Sequence, residues 1–298
     1  MRLAFAGTAP FAELVLDAIL PSHHQVVALV TNPDRPKGRH GTPQPPGIIK
    51  LLAEARGVLT LQPPRLSTPE AVGALLSVAP DAFVVCAYGQ IIGQSVLDAV
   101  PTIVVHPSLV PRWRGAAPVE RALMAGETEL GVATLQMTAG VDEGPVGDVR
   151  PVHVPRDADA GRAYELLAPA AAAGVLATLD RMADGTVEWL PQTGKPTYAA
   201  KISAVDRLVD WTQPAAVIVD QVRALSPYVG AVTELLGKRT LIWRAAAGSG
   251  PLPGAGAERL VLPAGDGWVD VLELQQEGRR RMSAAEFLRG AGRALAGQ

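Results

Sequence analysis

The chain has 298 residues, 48% of them hydrophobic and 19% charged, with a formal net charge of −2. This composition excludes a disordered polymer and supplies enough apolar material for about two domains with cores of their own. The near-neutral balance also excludes a chain-wide attraction for nucleic acid, so any such partner has to be read from local clusters.

Leu3 to Ala6 is a short apolar run, followed by Gly7-Thr8-Ala9-Pro10 and then by Phe11, Leu14, Val15, Ala18 and Ile19 at helical spacing. That pattern predicts a strand, a tight turn and a helix. The turn lacks the second and third glycines of a dinucleotide fingerprint, so a nicotinamide cofactor is not expected. Val26 to Thr31 reads as the next strand, Ile48 to Arg56 as a helix, and Phe83 to Ala87 and Thr102 to Val105 as further strands. Alternating strands and helices imply a Rossmann-like, mostly parallel α/β sheet, whose sites lie beyond the carboxyl ends of its strands. His106 stands at such an end. The lone cysteine, Cys86, lies in an apolar strand and reads as a buried thiol, with no disulfide framework or multi-cysteine metal site. Met137 is expected in the core of a strand.

Between these elements, Arg35, Lys37, Arg39 and Lys50 stand in a stretch without acids that is rich in proline and glycine. It reads either as a solvated connection or, because long loops in compact domains are usually functional, as a contact for a phosphate backbone. An alanine-rich helix is expected from Ala158 to Gly185, then a change of composition at Leu190-Pro191-Gln192-Thr193-Gly194. Past Val205 come short strand-like pieces: Val232 to Leu236, Thr240 to Trp243, Leu260 to Pro263 and Trp268 to Leu272. They suggest a small OB-like β-barrel. The expected domains are therefore residues 1–188, a linker at 189–204, and a C-terminal β-barrel at 205–298. Arg279-Arg280-Arg281 is either soluble surface or an RNA contact. No apolar run approaches the roughly 18 residues that cross a bilayer, and the amino terminus has no signal-peptide core. A cytoplasmic monomer without a membrane partner is expected.

The most informative run is His106-Pro107-Ser108-Leu109-Val110-Pro111-Arg112-Trp113-Arg114-Gly115-Ala116-Ala117-Pro118, followed by Met137-Thr138-Ala139-Gly140-Val141-Asp142-Glu143-Gly144-Pro145. Here the sequence resembles the methionyl-tRNA formyltransferase family. Phe5-Ala6-Gly7-Thr8, Pro33-Asp34-Arg35-Pro36, Gly38-Arg39, Ala87-Tyr88-Gly89, Val209-Asp210-Trp211 and Met282-Ser283-Ala284 extend the likeness almost end to end. The Ser108 to Pro111 portion marks folate-using formyltransferases in general; the Trp113 to Pro118 extension, the basic loop and the C-terminal domain narrow it to the tRNA enzymes.

The resemblance implies transfer of a formyl group from 10-formyltetrahydrofolate to the α-amino group of initiator methionyl-tRNA, without a metal. Such chemistry needs a base for the amine proton and a donor for the oxyanion. The resemblance makes His106 the base and Asp142 the carboxylate that orients it. It places the folate along Ser108, Leu109, Val110, Pro111, Tyr88 and Gly89, and the tRNA on Arg35, Lys37 and Arg39. Tyr88-Gly89 could equally be a strand-to-helix turn, and Asp142 a turn former. Trp113 could pack at a domain interface or line the amino-acid entrance. The sequence departs from the pattern at Val104, where the family has an asparagine that polarises the formyl carbonyl; Gln90, a backbone amide or a water are the possible substitutes. A small-molecule (amino sugar nucleotide) formyltransferase, a formyl-folate hydrolase and an impaired tRNA- or folate-binding paralogue are the alternatives.

Overall fold

The structure is a computed structural model that describes residues 1–34, 47–250 and 259–295. By contacts the chain divides into two compact units, one of Met1–Gly115, Leu130–Val152 and Tyr164–Tyr198, the other of Ala116–Glu129, His153–Ala163 and Ala199–Gln298.

In chain order the elements of the amino-terminal half are β1 (Arg2–Ala6), α1 (Pro10–Ile19), β2 (Gln25–Val30), α2 (Ile48–Ala55), β3 (Leu59–Leu61), α3 (Pro69–Ser77), β4 (Ala82–Cys86), α4 (Gln94–Leu97) and β5 (Thr102–His106). They are followed by β6 (Arg114–Gly115), α5 (Pro118–Met124), β7 (Glu129–Gln136), β8 (Val146–His153) and α6 (Ala160–Ala183). The first unit is built on a seven-stranded sheet of order β3-β2-β1-β4-β5-β7-β8. The pairs β1–β2, β2–β3, β1–β4 and β4–β5 are parallel, and β5–β7 is antiparallel. The expected mostly parallel sheet is thus present. Its central strands are apolar on both faces, as a sheet covered on two sides requires: β4 is buried at every position, and Leu3 to Ala6 of β1 are buried. Cys86 is buried as expected, and burial pushes its thiol well above the usual range.

The strand order reverses between β1 and β4, which puts the crevice of the sheet outside their carboxyl ends, at Gly7-Thr8 and Ala87-Tyr88. Gly7 is required there by packing: a Cβ would lie 2.5 Å from Ala12 Cβ and 3.0 Å from the Cys86 carbonyl oxygen. α1 can therefore close onto the strand ends only over a glycine.

α6 corrects one expectation. At 24 residues, with an 18-residue window of mean hydropathy 1.3, it is long and apolar enough to cross a bilayer. Leu167, Ala171, Val175 and Leu179, spaced by four, are all buried, which is the stripe of a helix lying on a core.

After β9 (Tyr198–Ala199), the second unit continues with α7 (Ala215–Leu225), β10 (Ala231–Leu235), β11 (Lys238–Gly248), β12 (Leu260–Pro263), β13 (Trp268–Gln276), β14 (Met282–Ser283) and α8 (Ala284–Leu295). Among the described residues its sheet has the open order β10-β11-β13-β12, with β14 on β13 and every pair antiparallel. The OB-like closure expected from the short strands is not confirmed among the described residues; the finding is an antiparallel sheet covered by helices. α7 and α8 escaped the sequence reading. α7 carries Val217, Ile218 and Val219, whose β-branched side chains favour strands. It is helical because Pro214 stands at its N-cap and Ile218, Val222 and Leu225 form a buried helical stripe.

Residues 116–129 and 153–163 belong to this unit for a physical reason. Buried Arg223 pairs with buried Asp220 at 2.7 Å and donates to the carbonyls of Leu123 at 3.3 Å, Glu127 at 3.4 Å and Ala158 at 3.4 Å. The first two of these lie around the carboxyl end of α5, where unsatisfied carbonyls attract a cation. The expected linker is also ordered, with Leu190 and Val146 exchanging backbone hydrogen bonds.

Arg121 grips Asp206 with both guanidinium nitrogens, at 2.6 and 2.9 Å, and Ser203 donates to the same carboxylate through its amide and hydroxyl. The Arg121 contacts, then those of Ser203, hold Asp206 well below the usual carboxylate range. A depressed carboxylate stabilises the fold above its unfolded pKa and loses that contribution as pH falls through the folded value. Asp206→Asn should therefore cost about 1–2 kcal/mol near pH 7, and the gap to the parent should shrink below about pH 4. Urea unfolding across pH checks both statements.

Candidate active site

His106 is the last residue of β5, held between β4 and β7, with Ala133 as its partner on β7. The ring is 4% exposed. Its Nδ1 lies 3.4 Å from Asp142 Oδ2, and its Nε2 is 2.9 Å from the Trp113 carbonyl oxygen. A carbonyl only accepts, so Nε2 carries the hydrogen in this arrangement. Any further proton on the ring sits between Nδ1 and the carboxylate.

Asp142 reaches this position through an unusual backbone. It occupies the left-handed region at φ 51°, which asparagine and aspartate tolerate better than other side chains. Its Oδ2 accepts the Gly115 amide at 2.9 Å, so one oxygen faces both an N–H and the imidazole. The turn is braced from outside: Gln192 Nε2 donates to the carbonyls of Asp142 at 2.8 Å and Gly144 at 2.9 Å. Gln192 Oε1 in turn accepts from Arg114 Nε at 3.1 Å and Nη2 at 2.7 Å. The turn is anchored at its far side by Gly144, where a Cβ would stand 1.9 Å from the Gln136 carbonyl oxygen.

The segment from Ser108 to Trp113 is organised from within. Ser108 Oγ donates to the Arg112 carbonyl at 2.7 Å, so the hydroxyl shapes the loop. Val110-Pro111 is a cis peptide, and Trp113 has φ 60°. Thr197 fastens the segment, its hydroxyl accepting the Trp113 amide at 2.9 Å and its amide donating to Pro111 O at 3.1 Å. Leu109 packs over Gly131, which leaves no room there for a Cβ.

Tyr88 and Gly89 follow β4, on the strand next to β5. The Tyr88 ring packs on the core beside the crevice, and its buried hydroxyl has no hydrogen-bond partner among the described residues; burial pushes its pKa up to about 12. Met137 is half-buried and packs against the same cluster. Val104 shares a face of β5 with His106, two residues away, and is half-buried between Val85 and Leu135 on the neighbouring strands. Gln90 is spent elsewhere: its amide nitrogen donates to Asn32 Oδ1 at 2.9 Å and Pro63 O at 3.0 Å, and its oxygen accepts the Leu66 amide at 2.8 Å.

Arg35, Lys37 and Arg39 lie outside the described residues. Lys50, from the same basic cluster, is already matched by Asp34 at 2.7 Å and Gln62 at 2.9 Å. In the triple arginine, Arg280 pairs with Glu286 at 3.0 Å, and Arg281 pairs with Glu273 and stacks on Trp243. Gln192, Thr197 and the Gly115 amide were missed by sequence reasoning. The first two stand in the proline- and glycine-rich stretch taken as a linker, and no spacing rule connects them to Asp142.

Comparison with known proteins identifies the family of the whole chain. The formyl transferase family matches residues 1–179, and its C-terminal domain family matches residues 201–292. Methionyl-tRNA formyltransferases from Symbiobacterium thermophilum and Paracoccus denitrificans are 40% and 41% identical, covering 98% and 97% of this chain and 93% and 97% of their own lengths.

The chain belongs to the methionyl-tRNA formyltransferase family.

Among solved structures, the methionyl-tRNA formyltransferase of Clostridium thermocellum superposes with a TM-score of 0.58 at 14% identity, over 84% of this chain and 95% of that one. Aquifex aeolicus HypX in complex with tetrahydrofolic acid gives 0.70 at 20% identity, over 97% of this chain and 47% of that one. These likenesses establish that this formyltransferase chain shares their fold. Within it, Gly144→Ala should destabilise the first unit by about 1–3 kcal/mol, because backbone on both sides of the clash has to shift. Denaturant unfolding of the purified variant measures the loss.

Proposed function

We propose that this chain transfers the formyl group of 10-formyltetrahydrofolate to the α-amino group of methionyl-tRNA. The reading is carried by the approach of His106 to Asp142 at the carboxyl edge of the sheet, in a chain about 40% identical to methionyl-tRNA formyltransferases over nearly its whole length. The folate brings the formyl group as an activated amide. In this reading Tyr88 and Gly89, which follow β4, stand beside the pterin; the Tyr88 hydroxyl is buried without a hydrogen-bond partner among the described residues.

In the proposed step the neutral amine forms a bond to the formyl carbon, the bond from that carbon to the folate nitrogen breaks, and the folate nitrogen takes up a proton. His106 accepts the proton that the amine gives up, and the Asp142 carboxylate stabilises the imidazolium so formed. The nitrogen that must do this is Nε2, which here donates to Trp113 O; to act as base it has to give up that hydrogen, so the reacting ring takes the tautomer with its hydrogen on Nδ1, directed at Asp142. The Trp113 carbonyl therefore has to yield as substrate arrives, and the nearly complete burial of His106 points to the same movement. Gln192 acts as a positioning residue, fixing the turn on which Asp142 stands.

Val104 favours a second reading, an impaired paralogue, because valine cannot stabilise the oxyanion and the Gln90 amide is engaged. Loss of one such donor costs about 100- to 1000-fold in turnover. We therefore read a slow enzyme. The tRNA assignment extends to Arg35, Lys37, Arg39 and the C-terminal unit with its antiparallel sheet.

The central experiment transfers labelled formyl from the folate to charged methionyl-tRNA, with uncharged tRNA, free methionine and an amino sugar nucleotide as controls. Label on the charged tRNA alone is expected; label on the sugar alone would replace this reading with the small-molecule one. In the same assay His106→Ala should lower kcat about 100- to 10,000-fold, and undiminished turnover would remove His106 from the chemistry. Val104→Asn should raise kcat by about 100-fold with little change in KM for the folate; an unchanged rate would mean that the oxyanion is already served by another group.

A further inference from the structure

Away from the crevice, three metal-competent side chains converge on one point. His23 and His24 form the turn that enters β2, and Asp180 lies near the carboxyl end of α6. His23 Nε2 is 2.8 Å and His24 Nε2 is 3.1 Å from the same oxygen, Asp180 Oδ1, and the three ligand atoms lie within 4.8 Å of one another. We propose that His23, His24 and Asp180 form a binding site for a borderline divalent cation of the zinc type.

Two imidazoles and a carboxylate are the donor set that such a cation prefers, whereas calcium and magnesium select oxygen ligands alone. Bonds of about 2.1 Å in a tetrahedron space the ligand atoms about 3.4 Å apart. The two distances to Asp180 fall a few tenths of an ångström short of that, and all three ligand atoms lie within 4.8 Å of one another. The side chains that must adjust are the accessible ones, His23 at 70% and Asp180 at 47% exposure, while His24 is fixed at 1%. His24 is held from behind as well: its amide donates to Ser22 Oγ, and its Nδ1 is 3.2 Å from the Met1 amino nitrogen; with a cation on Nε2 the ring hydrogen stands on Nδ1, so the Met1 amine accepts it in its neutral form. One rigid ligand and two adjustable ones leave a fourth position for water.

The placement assigns a structural role. β2 begins at this turn, and β1, β2, β4 and β5 run parallel, so the cluster lies at the sheet edge opposite the one that carries His106. A cation here would tie the end of α6 to the start of β2 and would take the place of the hydrogens now shared between the imidazoles and Asp180.

The test is calorimetric titration of the untagged, metal-free full chain with Zn²⁺, with thermal unfolding alongside. One ion per chain is expected, with a raised unfolding midpoint. His23→Ala and Asp180→Asn, both at accessible positions, should each weaken binding at least about tenfold and abolish the midpoint shift. No saturable binding below about 1 mM Zn²⁺, or parental affinity in either variant, would overturn the assignment; the latter would place the ion at another histidine, such as His106 or His153. The readout is binding and stability, so it stands apart from the fate of the formyl-transfer reading.

Discussion

A carboxylate held in a left-handed turn is the constraint on which the candidate site rests. Asp142 could not bring Oδ2 to His106 without the positive φ of its own backbone, and that conformation is held by contacts around it. The Gly115 amide meets the same oxygen, Gln192 ties down two carbonyls of the turn, and Gly144 lets the Gln136 backbone come close. Arg114 then fixes Gln192. Each group is satisfied by the next, so the imidazole meets one geometry of the carboxylate.

The same chain of contacts explains why the site is closed as it stands. Arg114 and Gly115, which brace Asp142, directly follow Trp113, whose carbonyl takes the Nε2 hydrogen of His106. Thr197 holds the intervening backbone from the other side. One short run therefore both braces Asp142 and takes the His106 Nε2 hydrogen, so under the proposed function access of the amine depends on displacing a single carbonyl. Val104 stands beside this arrangement on the same strand face and contributes bulk without polarity.

The second unit depends on a different device. A buried arginine–aspartate pair is costly to desolvate and is tolerated where remaining donors find acceptors. Arg223 finds them in three carbonyls drawn from segments far apart in sequence, so the pair organises residues that no local pattern groups together. The apolar core of α7, α8 and the antiparallel sheet builds around it.

Much was legible in the sequence. Apolar runs such as Ala82 to Cys86, short and followed by turn residues, read as strands buried on both faces, and their alternation with helices implied the mostly parallel sheet that the structure has. His106 and Asp142 were singled out by the resemblance their two motifs carry, not by spacing; the structure brings them to 3.4 Å, and their roles belong to the proposed function. The tertiary structure alone decided the rest. Gln192 and Thr197 act through hydrogen bonds to backbone carbonyls and amides, which carry no side-chain signature at the other end. α7 is helical against the preference of its β-branched residues because burial of one stripe outweighs local propensity. The strands of the C-terminal half announced themselves, but whether a sheet closes depends on pairing at its edges, a long-range property. The meeting of His23 and His24 with Asp180 likewise joins positions more than 150 residues apart, which chain folding brings together and sequence spacing cannot show.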